Sequence, residues 1–173
     1  MEQPVIRVAN QFAAIGTWRD LFMIMVKGQA DLARLPDQAT AALLLADLDR
    51  CLTAFFAERS AAIGYFCIIP PGIRIADRST TRSFERILFK PGFRYRFACI
   101  VIEETGVRGS IWRAIARMVG IYANKPNPEG FHSRIEDGVE WMHGVYSETE
   151  GERPTRRELA EAVFAFQEKA RGK

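Results

Sequence analysis

The chain has 173 residues, 48% of them hydrophobic, and a net charge of +3. That is enough apolar material for one substantial core, and so small a basic excess does not call for a nucleic-acid partner. Three cysteines, Cys51, Cys67 and Cys99, with no Cys-x-x-Cys pair and no Cys/His cluster, argue against a zinc site and for reduced, packed thiols in a cytoplasmic protein.

Met1-Glu2-Gln3-Pro4 shows no basic-then-apolar leader pattern, and no apolar stretch approaches the roughly 20 residues of a membrane helix. Residues 5–8 and 12–15 are weak strand candidates. Leu21-Phe22-Met23-Ile24-Met25-Val26 is a strong one, and Lys27-Gly28 ends it. It shares its character with two later runs, residues 63–69 and 97–102. All three are short, rich in β-formers and without polar alternation, which is the pattern of strands buried on both faces. A helix is expected from about Pro36 to about Arg59, because Leu44, Leu48, Cys51, Leu52 and Phe55 recur at helical spacing. Pro70-Pro71-Gly72 stops the second strong strand, and a basic helix follows over about 78–89, closed by Lys90-Pro91-Gly92. After the third strand comes a helix over about 109–122 with Ile111, Ile115, Met118, Val119 and Tyr122 on one side. A short edge strand at 131–135 and a core helix at 136–146 complete the sequence of elements. Residues 147–154 are polar and end in Pro154. Thr155 then opens a last helix, with Glu158 three residues on completing a capping-box pattern.

This order of two initial strands followed by alternating helices and strands resembles the STAS domain of bacterial anti-sigma-factor antagonists, and especially the small divergent STAS-like proteins of bacteria. The strand ending in Lys27-Gly28 before the first helix, and Phe131–Ile135 leading into the acidic helix that holds Trp141, are similar to the family's local features. The resemblance covers about residues 4–147. It implies an α/β, mostly parallel sheet of four or five strands with helices mainly on one side. The domain limits follow as 1–147, a linker at 148–154 and an appended amphipathic helix at 155–173. The antagonists carry an Asp-Ser-Ser-Gly-like turn whose serine is phosphorylated. Here the equivalent stretch has Ser79, Thr80 and Thr81 but lacks the Ser-Gly turn. A CRAL-TRIO-type lipid-transfer domain has a related layout.

Chemistry-bearing patterns are few. Ser79 and Thr80 stand at an expected helix start, where a hydroxyl caps free N–H groups and where a phosphate would meet Arg78 and Arg82. Arg74, Arg78, Arg82, Arg86 and Lys90 recur every four residues as one drifting stripe, which suits either solvent or an anionic partner. His132 and His143 have no carboxylates at ligand spacing, and no nucleophile elbow, P-loop or dinucleotide fingerprint is present.

The absence of a catalytic constellation, together with the STAS-like resemblance, leads to the expectation of a non-enzymatic regulatory or scaffolding module that binds another protein, with no catalytic residue, metal or cofactor assigned. The alternative is a carrier of a lipid or small apolar ligand, its cavity lined by residues such as Phe84, Ile87, Trp112 and Tyr122. The expected partner-binding residues are Arg78, Arg82 and Arg86 on the basic stripe and Leu159, Val163 and Phe166 on the last helix, the latter helping to form a homodimer or partner interface. Truncation after Tyr146 is then expected to leave a folded domain. Ile24, Phe66, Ile68, Ile100, Leu48, Leu52, Phe55, Ile115 and Val119 are the expected core.

Overall fold

The structure is a computed structural model and describes residues 2–10, 13–27, 38–59, 61–72, 82–83, 86–88, 90–107, 109–110, 127–148 and 153–172. Six strands form one sheet: β1 (Val5–Ala9), β2 (Ala13–Trp18), β3 (Leu21–Val26), β4 (Ile63–Ile69), β5 (Tyr95–Ile102) and β6 (Glu129–His132). Helix α1 (Gln38–Ala57) lies between β3 and β4, while α2 (Ile135–Glu148) and α3 (Arg156–Arg171) follow β6.

The strands sit side by side in chain order. β1, β2 and β3 pair antiparallel, and β3, β4, β5 and β6 pair parallel. Strand–helix–strand crossovers are overwhelmingly right-handed, so a strand order that advances steadily in one direction returns each crossover to the same face. Helix α1 obeys this rule. Its Leu48, Leu52 and Phe55 pack with Phe22, Ile24, Tyr65 and Cys67, and Ile87, Leu88 and Phe93 from the β4–β5 crossover join the same cluster. Because side chains alternate along a strand, the intervening residues Met23, Phe66, Ile68, Phe97, Cys99 and Val101 face the other way. Helices α2 and α3 cover them. Both faces of the central strands are therefore dry, which is why these strands read as unbroken apolar runs.

Two expectations need correction. The sheet has six strands rather than four or five, and helices cover both of its faces rather than mainly one. Helices α2 and α3, which follow β6, lie on the face opposite α1. Leu159, Val163 and Phe166, expected at a partner interface, are fully buried in this chain's own core. Helix α3 packs on β1, β2, β3 and α2. Gly16 makes that fit close, since a Cβ there would stand 2.8 Å from the Phe166 ring. Gly138 does the same for α2, where a Cβ would stand 2.9 Å from Val101.

The expected core otherwise holds where it is described. Ile24, Leu48, Leu52, Phe55, Phe66 and Ile68 are buried, and Ile100 is half-buried against them. Ile115 and Val119 lie outside the described residues. The capping box at the start of α3 is complete: the Glu158 N–H donates to Thr155 Oγ1 at 3.2 Å, and the Thr155 N–H donates to Glu158 Oε2 at 2.9 Å.

Candidate functional site

Among the described residues, charged side chains gather at a buried place in the fold and at an exposed one on the β4–β5 crossover. The buried one starts from the β2–β3 hairpin, whose two loop residues are Arg19 and Asp20. Arg19 adopts a left-handed backbone with φ 47°. A residue with a Cβ pays roughly 1–2 kcal/mol for this conformation, so surrounding contacts must hold it. They come from three elements. The Arg59 guanidinium donates to the Arg19 carbonyl at 2.7 Å, the Arg19 guanidinium donates to Glu158 Oε1 at 2.7 Å, and Arg19 lies over the Trp18 ring at 4.7 Å.

Asp20 is then carried inward. Its carboxylate meets the Arg96 guanidinium at 2.8 Å and accepts from the Tyr146 hydroxyl at 2.9 Å. Its carbonyl accepts from the Gly64 N–H at 2.9 Å. Arg96 also lies 5.2 Å from the centre of the Tyr146 ring. Both Asp20 and Arg96 are buried. Burial pushes the Asp20 carboxyl above its ordinary range, while Arg96 and the Tyr146 hydrogen bond pull it part of the way back. Oδ1 takes the Tyr146 hydrogen bond, Oδ2 takes the Arg96 ion pair without a hydrogen bond, and the knot joins the hairpin, β4, β5 and α2. It sits at the N-terminal ends of the parallel strands, whereas ligands of such sheets bind at the carboxyl ends. Its chemistry is that of a clasp.

The thiols and phenols are not activated. Burial pushes the Cys67 thiol up to about 12 and raises Cys99, whose S–H donates to the Gly138 carbonyl at 3.7 Å. Burial also raises Cys51, Tyr65 and Tyr95. None of them is a ready nucleophile near neutral pH. His132 packs 5.8 Å from the Trp141 ring, and His143 is half-buried on α2. Among the described residues, no group of three His, Cys, Asp or Glu side chains converges to hold a metal ion. Glu104, at the carboxyl end of β5, accepts from the Gly72 N–H at 2.8 Å and so ties down the turn that leaves β4.

The exposed place is the β4–β5 crossover. Arg82 and Arg86 are exposed, and Arg86 donates to Ser83 Oγ at 3.1 Å. Arg94 is exposed at the crossover's end. Ile87 and Leu88 turn inward onto the α1 cluster. Phe93 stacks on Phe56 with ring centres 4.2 Å apart, and Lys90 pairs with Asp49. The crossover is thus anchored to α1 by rings and a charge pair, with arginines left outward. Arg78, Ser79 and Thr80 lie outside the described residues, as do Phe84, Trp112 and Tyr122.

The buried clasp has almost no sequence signal. Asp20 and Tyr146 are 126 positions apart, and an aspartate in a hairpin is ordinary turn chemistry. The one available hint was Arg96, a charge set inside an otherwise apolar strand. Comparison with protein-family models, curated proteins and solved structures gives no match. Among the described residues, no helix is long and apolar enough to cross a membrane.

Proposed function

We propose that this chain is a non-enzymatic interaction module, regulatory or scaffolding, of STAS-like type and cytoplasmic, and that it recognises an acidic surface on another protein through the β4–β5 crossover. The observation that carries the reading is the placement of Arg82 and Arg86: both are exposed while the neighbouring Ile87 and Leu88 are turned into the core. An array of arginines on an anchored segment can meet carboxylates with little ordering cost, and it speeds encounter with a negatively charged partner. The buried clasp and the unactivated thiols fit the same reading. So does the mostly parallel sheet, which the STAS-like resemblance implies.

The test compares affinity capture by the native chain and by R82E/R86E, followed by native mass spectrometry. The expected result is a polypeptide held by the native chain, released by raised salt and lost from the double reversal. A small apolar molecule carried by both forms supports the carrier instead. A partner retained by the reversed protein removes the basic crossover from the interface. Both positions are exposed, so the double reversal is expected to shift stability by only about 0.5 kcal/mol per site.

A further inference from the structure

Helix α1 carries two features on its outer side that match each other. Leu43 is 67% exposed, the most exposed leucine-sized side chain on any described helix. Three turns further along, a groove of roughly 230 Å³ opens between α1 and β1, lined by the apolar Val8, Cys51, Ala54 and Phe55 and by the charged Arg7, Arg50 and Glu58. Leu43 and Ala54 are separated by eleven residues, which is about three helical turns and about 16 Å, so knob and groove share one side of the helix. Between them stand Asp47 and Arg50, with side chains joined at 2.6 Å and Arg50 largely in solvent.

A single copy cannot place its own Leu43 in its own groove. A second copy, turned by a twofold axis that passes beside α1 at the level of residues 48–49, can. That rotation brings each Leu43 to the other copy's Ala54. It also brings each Asp47 to the other copy's Arg50, so unlike charges meet across the axis rather than like ones. A twofold contact uses the same patch on both copies and closes on itself. Alanines at 46, 54 and 57 are exposed around this side, and the paired Asp47 and Arg50 are the larger side chains that would lie between the two helices.

From the exposed Leu43, the facing groove and the self-complementary charges, we infer that the outer side of α1 is a homodimer interface, two α1 helices packing antiparallel about a twofold axis at the level of Leu48 and Asp49. This interface is separate from the basic crossover and stands or falls without it. It also differs in place from the last helix, whose apolar stripe is spent in the chain's own core.

The test measures association of the full chain by sedimentation equilibrium over a range of concentrations. The native chain is expected to dimerise. L43K, which puts a charge on the knob, and A54R, which fills the groove, are each expected to weaken the dimer by roughly tenfold or more, as loss of a central anchor does. Thermal melting of the dilute, monomeric variants is expected to be unchanged, because both positions are exposed. In a Cys51→Ala background, the double variant L43C/A54C is expected to form a disulfide-linked dimer under mild oxidation, while either single cysteine gives none. The inference is overturned if the native chain is monomeric throughout. It is equally overturned if a dimer survives both L43K and A54R, or if the single cysteines cross-link as readily as the pair.

Discussion

Removing one partner of the Asp20–Arg96 pair leaves the other charged inside the fold. Asp20→Asn is expected to destabilise the protein by about 3–5 kcal/mol, the usual range for a broken buried pair. Tyr146→Phe, which removes only a hydrogen bond to a charged group, is expected to cost about 1.5–3 kcal/mol. Replacing both charges, as D20L/R96M, is expected to cost less than Asp20→Asn alone, because no charge is then stranded. Urea midpoints at constant m-value check all three.

Acid acts on two carboxyls in opposite senses. Glu158 is held down to about 2 from an ordinary 4.5, chiefly by the Thr155 backbone N–H and hydroxyl of the capping box and then by Arg19. Its contribution to stability is present above 4.5 and is lost as pH falls through the interval toward about 2. Asp20 is raised above 3.8, so its linked contribution is greatest below that value and declines as pH rises through the raised one. Glu158→Gln is accordingly expected to be less stable than the native chain at pH 6, with the gap closing as pH falls toward about 2. Thermal melts across that range read the difference directly.

At the scale of elements, α3 is the part whose role depended most on what surrounds it. An amphipathic stripe of Leu159, Val163 and Phe166 has the same spacing whether it covers its own sheet or a partner's. What decides is the area it covers: without it, the face of β1–β3 that holds Ala14, Met23 and Met25 would lie open to water. Phe166→Ala is expected to cost about 3–5 kcal/mol. Gly16→Ala is expected to cost about 1–3 kcal/mol, because the new methyl meets the Phe166 ring. Truncation after Tyr146 is expected to abolish the cooperative urea transition rather than to leave a folded domain. Additional ties support this, since Lys169 Nζ donates to the Pro4 carbonyl at 3.0 Å and Arg19 pairs with Glu158.

For the whole molecule, one cluster runs from β1 and β2 through the sheet to α2 and α3. Elements that share a core unfold together, so fluorescence and far-UV circular dichroism are expected to report one coincident transition. Native-state alkylation is expected to label Cys51, which is half-buried, ahead of Cys67 and Cys99, which are buried and strongly raised. Counting labelled sites by intact mass before and after urea checks this.

What the amino-acid sequence determined by itself was local. Residues 21–26, 63–69 and 97–102 became central strands because a run without polar alternation can only be buried on both faces. Helix α1 and the capping box at Thr155 followed from periodicity and from hydrogen-bonding groups three residues apart. The arginine stripe was visible because residues four apart share a helix side, and Arg82 and Arg86 are indeed exposed. Only the tertiary structure decided which face each helix covers, since the same apolar stripe serves either face. It alone brought Asp20, Arg96 and Tyr146 together, because their contact depends on strand order and on the return of α2, not on any spacing along the chain. And it alone left Leu43 outward on α1, three turns from an unfilled groove, because whether a leucine on an apolar helix is inside or outside depends on how much of that helix its own sheet can reach.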